Sequence, residues 1–279
     1  MAVFIICHQD LPYYRPPEGA YIVWLNARRL GAHETGGATP IQGYDWFENP
    51  ETLHEMVSGT MGTMVIRKFV EAMSPRPELV TIWQYRKFML FQRIGVAANN
   101  FPGMWMVPPS DPRLQHLPNP EAGLLANTGL PAEQKFMLAA LFPLENMARQ
   151  YGAFSHILDL FRFTTTALEI GALTKDEVLS FFNRPHVVPG GLEMGTYPTE
   201  WWLREIDPLI RASLAYRQQY SPVEPEHPYH KRAAAFCSER FGSHAVLKVC
   251  DRLFGGALPA HLQGTMHTVS DQPGYTIVT

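Results

Sequence analysis

Leu79-Val80-Thr81-Ile82-Trp83, running straight into Gln84-Tyr85-Arg86-Lys87-Phe88, is the stretch on which the fold turns. The apolar, β-branched half predicts a strand over Glu78 to Gln84, and the polar half puts cations at its carboxyl end. Upstream, Asn49-Pro50-Glu51 sets proline and an acid in the first turn of a helix. That helix is expected to reach about Met73, with breaks at Gly59 and Gly62, before Ser74-Pro75-Arg76-Pro77 stops it. Val3 to Cys7 reads as an earlier buried strand. Strand, helix, strand is the signature of a sheet with parallel strands, and so of an α/β fold. Ligands of open α/β sheets lie just beyond the strands' carboxyl ends. Gln84, Tyr85, Arg86 and Lys87 therefore form a candidate site for an anionic, phosphate-bearing group. A solvated strand end is the plain alternative.

The chain has 279 residues, 46% of them hydrophobic and 18% charged, so it can bury a large core without staples. A net charge of -3 argues against a nucleic-acid partner. Cys7, Cys237 and Cys250 form an odd set without a CxxC, which suits buried thiols in a reducing compartment. The apolar run at the start is too short for a signal peptide or a membrane span. The expectation is a cytoplasmic protein, with peripheral membrane contact left open.

Further along, residues 19–31 form a short strand or helix and Met104 to Val107 a strand. From Pro131 the spacing of Phe136, Met137, Leu141 and Leu144 predicts a helix kinked near Pro143. A second helix is expected over Ala153 to Ile170. Thr174-Lys175-Asp176-Glu177 is a capping box opening a helix through Phe182. His186 to Val188 gives a brief strand. Helices follow at Thr199 to Tyr216 and Tyr229 to Phe254. From about Ala257 the chain is expected to wrap the surface as a loose tail.

Several chemistries have no motif here: GxSxG, Walker A, GxGxxG, HExxH and Asp-x-Asp are all missing. His227-x-x-His230 has metal-like spacing but no third ligand near it in sequence, so no metal ligands are assigned. Three other features join the strand end as candidates. The loop Pro189 to Gly195 carries Gly190 and Gly191, which allow close backbone approach, and the carboxylate of Glu193. The last helix carries Glu239 and Arg240 amid apolar residues, where each needs a partner or a ligand. His8 follows the first strand at the edge where a base or ribose would lie.

Taken in order, these pieces resemble a family of bacterial glycosyltransferases of lipopolysaccharide and capsule assembly. The family's opening strand with a His-containing turn is answered by Phe4-Ile5-Ile6-Cys7-His8. Its His-Tyr-Arg-Arg-aromatic strand end is answered by Gln84-Tyr85-Arg86-Lys87-Phe88, and its Phe-x-Ser-Glu-Arg helix by Phe236-Cys237-Ser238-Glu239-Arg240. Gln84 replaces the usual His and Lys87 the second Arg, and the family's Gly-Asp-Asn loop reads Gly43-Tyr44-Asp45-Trp46. The resemblance implies a GT-A-like fold, with a central, mostly parallel sheet flanked by helices and a helix-rich C-terminal half. One domain would span 1–256, with a nucleotide-binding half over about 1–110, a helical acceptor half over about 130–256, and a tail over 257–279. It implies transfer of a sugar (a hexosyl group) from a nucleotide-diphosphate donor to a hydroxyl of a glycan or small-molecule acceptor. The leaving charge would be met by a divalent cation, Mn²⁺ or Mg²⁺, or, without Asp-x-Asp, by Arg86, Lys87 and Arg240. Glu193 and Glu239, with Asp45 behind them, would be the candidate bases, and His8, Gln84, Tyr85, Gly190 and Gly191 would line the donor site. The alternatives are a non-catalytic relative that binds a glycan or protein, and an unrelated α/β enzyme of a phosphate-bearing substrate.

Overall fold

Leu79 to Trp83 are all buried, as a central strand requires, and the strand ends at Gln84. The computed structural model describes residues 1–98, 103–125, 130–227, 230–256 and 258–272. In chain order its elements are β1 (Ala2–Cys7), β2 (Tyr21–Trp24), β3 (Thr39–Gln42), α1 (Pro50–Val57), α2 (Thr60–Ala72), β4 (Leu79–Gln84), β5 (Lys87–Leu90), β6 (Val96–Ala97), β7 (Met104–Val107) and α3 (Pro120–Leu125). They continue with β8 (Leu138–Ala139), β9 (Phe142–Pro143), α4 (Met147–Phe154), α5 (Ile157–Glu169), α6 (Lys175–Phe182), β10 (His186–Val187), β11 (Gly195–Pro198), α7 (Thr199–Gln219), α8 (Ala233–Phe254) and β12 (Gln263–Val269).

β3, β2, β1 and β4 lie side by side and parallel, with Ile6 opposite Gln84 and Cys7 opposite Trp24. β11 runs antiparallel along β4. β4 turns through Tyr85-Arg86 into β5, which pairs antiparallel with β12, and β12 runs parallel to β7. The result is an α/β fold with a sheet whose leading block is parallel and a second half dominated by α4 to α8.

The pleat decides which side chains meet the helices. Phe4, Ile6, Val80 and Ile82 join the core shared with α2, α5, α7 and α8. Val3, Ile5, Cys7 and Trp83 enter a separate core with Tyr14, Trp24 and Phe88. A third cluster is built around Met89, Met104, Met106, Met137, Met194 and Met266.

Three expectations change. The segment from Pro131 is not a helix: Met137 bridges Thr196, and β8 and β9 follow. Phe136 to Ala139 are all buried, and a continuous apolar run reads alike for a strand or a buried helix. The helix expected from Ala153 is divided by extended Ser155 (φ -151°, ψ 169°), so that α4 ends and α5 starts anew at the His156 cap. Residues 263–269, expected in a loose tail, form the interior strand β12, with Gly264 to Val269 buried. The last long helix starts at Ala233 after a turn at His230–Arg232, while Tyr229 and residues 273–279 of the expected tail lie outside the described residues.

Gly62 sets how closely α2 lies on β1. A Cβ there would stand 2.5–2.7 Å from three carbons of the buried Ile6 side chain. Overpacking of this kind costs about 1–3 kcal/mol, against about 1 kcal/mol gained by removing a helical glycine. Gly62→Ala is expected to lower the urea midpoint, and a raised midpoint would show that Ile6 moves aside freely.

Candidate active site

The carboxyl ends of β1, β2 and β4 share one rim, and the loop entering β11 reaches the same rim because β11 runs the opposite way. That loop is fixed along its length. The Val188 N–H donates to Ser243 Oγ at 2.8 Å, and the Gly190 N–H to Glu239 Oε1 at 2.9 Å. The Tyr197 hydroxyl lies 2.6 Å from the Met194 carbonyl, and Trp202 Nε1–H donates to the Leu192 carbonyl at 3.0 Å. Gly191 has φ +51°, and a Cβ there would stand 2.7 Å from the Glu239 carbonyl oxygen. Only glycine satisfies both constraints.

The clamped loop presents Glu193, 7% exposed, at the rim. Its Oε1 is buried and completes no hydrogen bond to protein. Burial pushes the carboxyl up to about 7. The Glu239 charge adds to this, while the Thr60 hydroxyl and the Arg232 charge pull the other way. A carboxyl poised near neutrality can take or give a proton at working pH.

The other candidates divide around it. A Cβ at Gly59 would lie 3.9 Å from Gln84 Nε2 and 4.0 Å from Glu193 Oε1, so the end of β4, the start of α2 and the loop converge. Ser58 precedes this corner with φ +50°, a conformation rare outside glycine. His8 stacks on His54 of α1, ring centroids 4.2 Å apart. Burial pushes the His54 imidazole down to about 4, helped by His8 and Arg232. Glu239 accepts from Gly190 through one oxygen and from Arg240 Nη1 at 2.6 Å through the other. Arg240 is buried, bonded through Nε and Nη2 to Gln150 Oε1 at 3.2 and 2.8 Å, and 5.7 Å from the Tyr151 ring. Its guanidinium holds Glu239 and Gln150 in place. Tyr85 belongs to the opposite face of the sheet, edge-on to Tyr13. Arg86 is exposed at the hairpin tip, 5.7 Å from the Tyr85 ring, and Lys87 opens β5 half-buried. Asp45 is ion-paired with Arg29 at 2.6 Å.

Sequence reasoning did not single out His54, Gly59, Thr60 or Arg232 for the site. Arg232 is exposed at the foot of α8, 5.4 Å from the Phe236 ring, and its charge bears on both Glu193 and His54. The adjacent cations Lys231-Arg232 before the last helix were the available signal. Among the described residues no three His, Cys, Asp or Glu side chains gather as a metal site. A cleft of about 760 Å³ opens at the other end of the sheet, beside Glu78 and Thr199, where Arg76 and Arg204 pair with Glu200 and Glu205.

Comparison with solved structures matches the apo structure of WbbM, a bifunctional glycosyltransferase, over 96% of this chain with a TM-score of 0.63 and 13% identity. The chain has a glycosyltransferase fold. It spans less than half of that protein, 45% of its length. No family model and no curated protein matches. No helix among the described residues is long and apolar enough to cross a membrane.

The Glu193 carboxyl also fixes a pH dependence. Its folded value, near 7, lies above the ordinary 4.5. The stability it contributes is full below pH 4.5 and lost as pH rises through 7. Glu193→Gln is expected to flatten that loss, matching wild type near pH 4 and exceeding it by up to about 3 kcal/mol at pH 8. Denaturant midpoints across this range check it; parallel curves for the two proteins would contradict it.

Proposed function

We propose that this protein transfers a sugar from a nucleotide-diphosphate donor to a hydroxyl acceptor in the synthesis of a bacterial polysaccharide or glycoconjugate. The observation that carries the reading is Glu193: a buried carboxyl with an unpaired oxygen, held at the carboxyl rim of the parallel strands, within reach of the Arg232 charge. The glycosyltransferase fold supports it.

In the reaction the bond from the anomeric carbon to the diphosphate oxygen breaks, and its electron pair leaves with the diphosphate. A bond from the acceptor oxygen to that carbon forms. The acceptor proton passes to Glu193, whose value near 7 suits a base at neutral pH. Arg232 meets the charge on the departing diphosphate, with Arg86 as a second cation further along the rim. Glu239 and Arg240 are spent on holding the loop that carries Glu193. The donor set does not fit a resident Mn²⁺ or Mg²⁺: both oxygens of Glu239 are engaged, and among the described residues no three His, Cys, Asp or Glu side chains gather to hold one. Three buried free thiols agree with a cytoplasmic, reducing setting.

A thermal-shift panel of nucleoside diphosphates and their sugars is the test. A binding nucleotide at 100 times its Kd stabilises by about 2.7 kcal/mol, a rise of several degrees. Arg232→Ala is expected to remove most of that rise. Glu193→Gln should keep it while lowering turnover about 100-fold or more. If no member of the panel protects the wild type, the transferase reading fails.

A further inference from the structure

Gly59 is a glycine that neither its backbone nor its neighbours demand. Its φ of -55° and ψ of -29° suit any residue, and an added Cβ would make only ordinary contacts at 3.9 and 4.0 Å. Gly62, one turn on, is different, since a Cβ there collides with Ile6. What the missing side chain at 59 does is leave a notch at the start of α2. The two atoms facing that notch are the amide end of Gln84 and Oε1 of Glu193.

One further observation says that the notch awaits a polar group. Glu193, more than nine-tenths buried, completes no hydrogen bond through Oε1, although the Thr60 hydroxyl lies close enough to hold its proton affinity down. An unpaired buried polar group costs about 1–3 kcal/mol, a cost that a ligand donor facing Oε1 removes.

We propose that the notch over Gly59 seats the acceptor hydroxyl of the transfer reaction, with Gln84 orienting it and Glu193 receiving its proton. This rests on the transferase reading and adds which group enters and where. A hydroxyl fits because it both donates and accepts: its proton points to the carboxylate, and its lone pairs take the Gln84 amide N–H. A phosphate would set its charge against Glu193. An apolar substituent would leave carboxyl and amide unpaired, which such sites reject strongly.

Water is the smallest hydroxyl, so the test needs no knowledge of the natural acceptor. Wild type, Gly59→Ala and Gln84→Leu are compared for hydrolysis of the nucleotide sugar that best protects the wild type, alongside thermal shifts with its nucleoside diphosphate. The backbone at 59 accepts alanine, and its added methyl fills the notch. Hydrolysis is expected to fall at least tenfold in both variants, with diphosphate protection unchanged. Hydrolysis within twofold of wild type in both variants overturns the notch and leaves the transferase reading standing. Loss of diphosphate protection in step with hydrolysis also overturns it, because the glycine would then serve the donor. Absence of nucleotide binding in the wild type overturns both.

Discussion

The contact of the Gly190-Gly191 turn with α8 is the constraint from which the rest follows. Gly191 on the loop and Gly242 on the helix let the two backbones touch, and Glu239 then takes the Gly190 N–H into its carboxylate. Arg240 steadies that carboxylate from below through Gln150 of α4. Three segments far apart in the chain are thus spent on placing one side chain. With the loop pinned this way, Glu193 has little freedom to turn out into water. Its burial, and hence its elevated proton affinity, is built in by packing.

The sheet's alternation sorts the candidate residues between its two faces. Gln84 follows Val80 and Ile82 onto the helix-covered face, where α1, α2 and α8 gather, and His8 follows Phe4 and Ile6 to meet His54. Tyr85 goes to the other face with Trp83 and Tyr14. Four consecutive residues that look like one recognition motif are therefore divided between two environments. Arg86, at the hairpin tip, has water on one side and the Tyr85 ring on the other.

Much of the fold was legible because local and tertiary preferences agree. The buried runs of β1 and β4, the proline start of α1 and the Thr174–Glu177 capping box, with its 2.9 Å hydrogen bond, form as their residues dictate. Segments failed where an apolar pattern has two solutions, as from Phe136 to Ala139, or where tertiary pairing recruits a segment that looks unremarkable, as at β12. At the candidate site, Glu193, Gln84 and His8 drew notice because each sits beside a glycine turn or at a strand end. His54, Gly59 and Arg232 did not, since only the folded chain brings residues 54, 59, 193 and 232 together. Arg240 illustrates the limit differently. A cation amid apolar residues needs a partner, and its partner Gln150 lies 90 positions away.

The place of β12 bears on how the molecule is assembled. Residues 263–269 lie between β5 and β7, which come from the first 110 residues, and also meet β8. Until that ribbon arrives, β5 and β7 each carry an open row of amides and carbonyls with nothing to pair. Such late, long-range closure is intrinsically slow. A nascent chain therefore carries a sticky seam until residues 263–269 emerge, and that stretch acts as the zip that seals it.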